Sequence, residues 1–517
     1  MIYQNPIISG FNPDPSICAA GGKFYLVTSS FQYFPGVPIF ESSDLVNWTK
    51  IGHVLTRESQ VELDRVRSSG GVFAPTIRYH KGRFYMITNN NSTNKNFYVY
   101  TDDIFGEWSE PIEIEMNGID PSLLFDGDHV YALTNGQDDE GTWGIVQCEI
   151  DIETGAKIGA TKCLWKGSGG RYIESPHMYK IGNYYYLMIA EGGTEYGHMV
   201  TYARSESPWG PFTGYAKNPV LTNRNKAPFE IQGIGHGDLI RNTDGRWYMV
   251  TLGFRQIGLW EPYHHLGREV FLTPVSFDEE GWFTCGNDGT TDPTYEIPGT
   301  FTQEKKTEYD FKNTDWSIDW AYLRKYHPEN YHLSDKSAFL RGSDITLDDV
   351  DSPTFIALRQ KDFCMETRVK VTVDAGKDGS AIAQPSAGLT VYMCENEHYD
   401  VELALTRDGL LARLKLNIGG VKHVQAIHLP MQEVKEKGAE LLIRSDRDKY
   451  EFFAQFPSDK KPVLLGSGKT KYLSSEVSGG FTGVMVGMYA IGNCAAVFTD
   501  FSCKYILDEA ADDSEIS

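Results

Sequence analysis

One short phrase recurs five times in the first 300 residues and constrains the fold more than any other feature of the chain. GKFYLVTSS (22–30), GRFYMITNN (82–90), DHVYALTNG (128–136), GNYYYLMIA (182–190) and GRWYMVTLG (245–253) each start at a turn residue and run into residues that favour strands. Their tyrosines, Tyr25, Tyr85, Tyr131, Tyr185 and Tyr248, lie 60, 46, 54 and 63 residues apart. That period is the length of a four-stranded blade with its loops, so residues 1–300 are predicted to form a five-bladed β-propeller. A polar turn and a tryptophan trail four of the copies, at Trp48, Trp108, Trp209 and Trp282, whereas in the third copy Trp165 arrives late.

The strand ahead of each phrase should be the innermost of its blade. Eleven residues before the five tyrosines stand Asp14, Ala74, Asp120, Glu174 and Gly237, with His236 one step away, in the phrases NPDPSI, FAPTIR, GIDPSL, IESPHMY and GHGDLI. Equivalent positions in successive blades point at one central place, so three blades are predicted to deliver a carboxylate each to a single cavity. Any one Asp-Pro-Ser phrase is as well explained by a turn or a cap. Three carboxylates in phase are not.

A chain of 517 residues exceeds what one hydrophobic core supports, and a second domain is expected. After a polar linker at 301–310, alternating segments such as FCMETRVKVTV, GLTVYMCE, HYDVELAL and LLARLKLNI predict an antiparallel β-sandwich of jelly-roll type over 311–508. Residues 509–517 read as an acidic, frayed tail. The whole is therefore an all-β chain. A net charge of -22 repels phosphate backbones and anionic lipid, which excludes nucleic acid and membrane surfaces as partners and leaves a neutral small ligand unpenalised. Eight cysteines without metal-ligand spacing, no signal-peptide pattern and no long apolar run lead to the expectation of a cytoplasmic protein with reduced thiols.

Cleaving a glycosidic bond needs a proton donor for the leaving oxygen and, for inversion, a base that activates water from the opposite face of the sugar. A third carboxylate beside the acid would raise its pKa so that it keeps its proton near neutrality. The phrases NPDPSI, SSGGVFAPTIRYHKGRFY, GIDPSLLFD, RYIESPHMYKIGNYYYLMIAEGGTEYGH, GHGDLI and HHLGREVF, with GGFTGVMVGMYAIGN near the C-terminus, together resemble glycoside hydrolase family 43, in its β-xylosidase and α-L-arabinofuranosidase branch with a C-terminal sandwich.

That resemblance implies Asp14 as general base, Glu174 as general acid and Asp120 as the carboxylate that tunes the acid. It further implies substrate contacts from Phe31, Phe73, Ala74, Thr194, His236 and Arg268, with Phe73 standing where many relatives have Trp. Phe481 of the sandwich is expected to close one end of the pocket, which would make the action exo on a small oligosaccharide. No cofactor is expected to be required; structural calcium at Asp310 and Asp500, and a homo-oligomer, are implied by resemblance alone. Two other readings stay open on sequence: a retaining fructan hydrolase or transferase on a related propeller, whose RDP and EC phrases are missing, and a non-catalytic glycan-binding protein, which would be expected to have lost a carboxylate.

Overall fold

The computed structural model describes residues 1–376 and 383–506 and divides them into two compact units, the first made of Met1–Pro262 and Arg268–Glu304, the second of Tyr263–Gly267 and the chain from Lys305 on. The expected acidic tail at 509–517 lies outside the described residues.

In the first unit the repeated phrases become the second strands of five four-stranded antiparallel sheets. Sheet 1 holds Ser16–Ala20, Lys23–Val27, Gly36–Ser42 and Thr49–Leu55; sheet 2 holds Thr76–His80, Arg83–Asn90, Lys95–Thr101 and Ile112–Ile114. Sheet 3 runs through Ile119–Asp126, His129–Gln137, Trp143–Ile150 and Lys157–Trp165, and sheet 4 through Glu174–Ile181, Tyr184–Glu191, Met199–Ser205 and Thr213–Gly214. Sheet 5 is Ile231–Arg241, Trp247–Arg255, Glu269–Phe277 and Phe283–Cys285. Hairpins join the first two strands of each sheet, and the turn residues Gly82 and Gly182 take the left-handed φ of 89° and 60° that such a tight reversal demands.

The first strands of the five sheets contact one another in cyclic order, the arrangement of a β-propeller. Apolar side chains fill the gaps between neighbouring sheets. Ile17, Leu26 and Phe40 of sheet 1 pack on Tyr248, Val250 and Leu272 of sheet 5, and Tyr85 and Ile87 of sheet 2 pack on Leu123, Ala132 and Val146 of sheet 3. Each such residue, if fully buried, contributes about 1.5–3 kcal/mol. Ring closure comes from the chain's start: Ile2–Gln4 pairs with Thr294–Glu296, and the side chain of Asn5 both donates to and accepts from the backbone of Leu272. The four tryptophans fall just ahead of the fourth strands, while Trp165 ends one.

The second unit is a sandwich of an eight-stranded and a six-stranded antiparallel sheet. Three residues of the expected linker depart from that reading. Glu308–Asp310 is a strand, because its backbone pairs with Ser502–Lys504 at the edge of the last strand. The five residues Tyr263–Gly267 also join this unit: the His264 imidazole and backbone amide both bind Glu476, and the Tyr263 hydroxyl meets Thr470. HYDVELAL alternates as foreseen, yet its polar face is buried rather than solvated. Asp400 and Glu402 are inaccessible, held by His398, Lys415 and the hydroxyl of Tyr489. Burial opposes a charge on His398, but Asp400 and Asp348 outweigh it and push the imidazole up to about 9. Among the described residues no helix is long and apolar enough to cross a membrane.

Candidate active site

The inner strands carry a recurring irregularity at the positions the repeat singles out. Pairing with the second strand shifts register between Ile119 and Ser122 in sheet 3, between Glu174 and His177 in sheet 4, and between Gln232 and Asp238 in sheet 5. Left-handed backbone accompanies these bulges, with φ of 53° at Asp120, 55° at Ser175 and 49° at His236, and Asp14 just ahead of sheet 1 has φ 55°. For residues with a Cβ this conformation costs about 1 kcal/mol, and a bulge is the usual means of re-aiming a side chain. Sheet 2 pairs without a shift and brings only Ala74 to the equivalent place, its carbonyl accepting from Thr88.

Asp14, Asp120 and Glu174 feel one another's charge, as neighbouring buried carboxylates must. Their surroundings differ. Burial would raise the Asp14 carboxyl, but Arg268, His236 and Ser29 together hold it below the ordinary value. The Arg268 Nη1 lies 3.1 Å from Asp14 Oδ1, and the Ser29 hydroxyl donates to Oδ2 at 2.5 Å. Burial and the negative charge of Asp14 push Glu174 up to about 7. Asp120 is raised too, by burial and then by Glu174 and Asp14, although the Ser175 amide donates to its Oδ2 at 3.0 Å. Two such carboxyls titrate as a pair and do not both ionise readily.

Around them stand most of the other expected residues. Arg268 also donates to Thr194 Oγ1 at 2.8 Å and lies over the ring of Phe31, 5.8 Å from its centroid. Phe31 meets the edge of Phe73 at 5.4 Å. His236 Nδ1 is 3.6 Å from Asp14 Oδ1; burial lowers its pKa, so the ring is neutral at neutral pH. Phe481 belongs to the sandwich unit, in the segment after the short helix Ser475–Ser478, and is 37% exposed. Asp310 Oδ1 accepts the amides of Lys312 and Asn313, Asp500 is exposed, and no group of three His, Cys, Asp or Glu side chains that could hold a metal occurs among the described residues.

Several site residues escaped the repeat reading. Phe11, immediately ahead of NPDPSI, stacks on Phe31 at 6.0 Å. His198 is buried, and its pKa is driven down to about 3 by that burial; its Nδ1 faces the Gly233 carbonyl at 3.1 Å. Along the axis Asp238 accepts from Ser16 (2.7 Å), Arg78 (2.8 Å) and Tyr179 (2.5 Å), one from each of three other sheets. Arg78 also donates to His177 Nδ1 at 2.8 Å, which fixes that neutral imidazole with its proton on Nε2. A signal existed, since Ser16, Arg78, His177 and Asp238 all lie inside the quoted phrases.

Known proteins share both the fold and these phrases. The family Glycosyl hydrolases family 43 matches residues 3–283, and the Beta xylosidase C-terminal Concanavalin A-like domain matches residues 308–504. A non-reducing end alpha-L-arabinofuranosidase of Bacteroides ovatus is 38% identical over 95% of this chain and 92% of its own length. A xylosidase/arabinosidase of Butyrivibrio fibrisolvens is 34% identical over 98% of each chain. A solved Bacteroides ovatus xyloglucan PUL protein superposes with a TM-score of 0.89 at 37% identity, covering 98% of this chain and all of that one. Since the family match takes in more than half of the residues and the relatives align almost end to end, this chain is a glycosidase and belongs to glycoside hydrolase family 43.

Proposed function

We propose that the protein is an exo-acting, inverting glycosidase that releases terminal β-D-xylosyl or α-L-arabinofuranosyl groups from oligosaccharides derived from plant polysaccharides. The reading is carried by the opposite surroundings of two buried neighbouring carboxyls: Arg268 and Ser29 bind Asp14 and hold it down, while burial and the Asp14 charge push Glu174 up to about 7. A base and an acid are thereby present together at neutral pH, as single displacement by water requires. Asp14 takes a proton from the water that attacks the anomeric carbon, and Glu174 gives its proton to the departing glycosidic oxygen. Exchange with solvent then restores both groups.

Asp120 supports the acid from beside it. Burial raises both carboxyls and the Glu174 charge raises Asp120 further, so the two titrate as a pair that keeps a proton near neutral pH beside the leaving oxygen. Arg268, ion-paired with Asp14 and bound to Thr194, stands beside the base where it meets sugar hydroxyls, and Phe31 with Phe73 offers an apolar wall. His236 accompanies Asp14 as a neutral hydrogen-bonding group. Both pentoses enter the proposal because the similar proteins named above are an arabinofuranosidase and a xylosidase/arabinosidase. Proton NMR of the first-formed sugar, on aryl β-D-xyloside and aryl α-L-arabinofuranoside side by side, tests the mechanism and the specificity together. Inversion with turnover of at least one glycoside is expected; net retention would overturn the role given to Asp14.

A further inference from the structure

Two loops of sheet 4 are fastened to each other beside the acid. Gly167–Ile173 leads into Glu174, and Gly192–Gly197 leads out of the second strand toward Thr194 and its partner Arg268. Glu191, fully buried, accepts the amides of Ser168 (2.7 Å) and Gly170 (2.6 Å) and the hydroxyl of Thr201 (2.7 Å). The Arg171 carbonyl accepts from Gly192 at 2.7 Å, its Nε donates to the Gly192 carbonyl at 3.2 Å, and its guanidinium pairs with Glu195. A loop tied at so many points is rigid although it lies at the surface.

At its tip stands Tyr172, 60% exposed and with a left-handed φ of 53°. An aromatic residue has no intrinsic reason to adopt that conformation or to face water. Arg171 flanks the ring at 5.3 Å, and Gly193 packs against it so closely that a Cβ there would come within 3.0 Å of Tyr172 Cδ2. The ring is thus held in place between the acid's loop and the Thr194 loop. Only Ile173 separates it from Glu174, and the two steps of chain span at most about 7 Å, roughly the reach of one sugar ring.

The geometry points to Tyr172 as the platform of an aglycone subsite, on which the first sugar of the leaving group lays its apolar face while Glu174 protonates the oxygen that joins it to the terminal residue. The inference rests on the proposed role of Glu174 as proton donor, since the donor marks the leaving-group side of the bond. Its ligand is a neutral saccharide: the C–H face of a pyranose matches an exposed aromatic ring, and Arg171 and Glu195 at its edge offer a donor and an acceptor to hydroxyls. Glu191 is a positioning residue, acting through the loop it holds.

Substrates that share a terminal sugar but differ in the leaving group attached to it separate this role from any other. Tyr172→Ala and Tyr172→Phe are compared with the parent on an oligosaccharide and on the matching glycosyl fluoride, which has no aglycone sugar. The Ala variant is expected to lose about tenfold in kcat/KM on the oligosaccharide, chiefly through KM, and to keep the parent's rate on the fluoride. The Phe variant is expected to match the parent on both. Equal loss on the two substrates, or loss on neither, would overturn the platform. Whether the parent cleaves the fluoride at all judges the sugar assignment separately, because Tyr172 is judged only by the ratio between substrates of one terminal sugar.

Discussion

Glu174 and Asp14 are driven apart because burial and the Asp14 charge raise the one, while Arg268 and Ser29 hold the other down against its burial. The kcat/KM profile of the parent is therefore expected to fall as pH rises through about 7, where Glu174 loses its proton, and the Glu174→Gln variant should lack that limb. Its rate on substrates with poor leaving groups should drop by about 10²–10⁴. Stability gives an independent reading. A carboxyl raised in the folded state favours folding fully below its unfolded value, near 4.5, and that contribution is lost as pH climbs through about 7. Glu174→Gln should thus melt higher than the parent at pH 8, by about 1–3 kcal/mol of stability, and close to it at pH 4; thermal melts at the two pH values check this. The three carboxylates were legible because equal offsets from a repeated tyrosine are a one-dimensional signal. His198 and Phe11 were not, since their place beside Asp14 and Phe31 depends on loops that bring separate segments together.

Bulges explain why a regular strand phrase ends in an irregular, chemically useful first residue. The tyrosine phrases read plainly as strands, but nothing in IDPSL or IESPH announces a register shift, because the shift is a compromise between pairing with the second strand and pointing a carboxylate at the axis. The loop ahead of Glu174 obeys the same logic. Replacing Glu191 with Gln puts an NH2 group against amides of Ser168 and Gly170 that need an acceptor. The variant is expected to lose about 1–3 kcal/mol in denaturant melts and to lose oligosaccharide turnover more than fluoride turnover. In the sandwich, alternation identified the strands but not the surroundings of their polar face: Asp400 and Glu402 are buried with partners supplied by other strands, and period alone does not tell solvent from a counter-charge.

Across the propeller as a whole, Asp238 ties sheet 5 to sheets 1, 2 and 4 through Ser16, Arg78 and Tyr179. Burial would raise its pKa, but Arg78 and the hydroxyls of Ser16 and Tyr179 hold it far below the ordinary carboxylate range. A carboxyl lowered in this way stabilises the fold above its unfolded value, near 4, and the contribution is lost as pH falls toward the folded one. Asp238→Asn leaves the Arg78 charge buried without its counter-ion and should cost about 3–5 kcal/mol, visible as a lower Tm at pH 7 that narrows toward acid. The chain's first strand has a consequence in time. Ile2–Gln4 finds its partner only at Thr294–Glu296, so a ribosome working at about 5–20 residues per second must continue for roughly 15–60 s before the ring can shut. Until then Ile2–Gln4 has no strand to pair with, and nascent chains halted short of Thr294 are expected to be digested by protease where chains released beyond residue 304 are not.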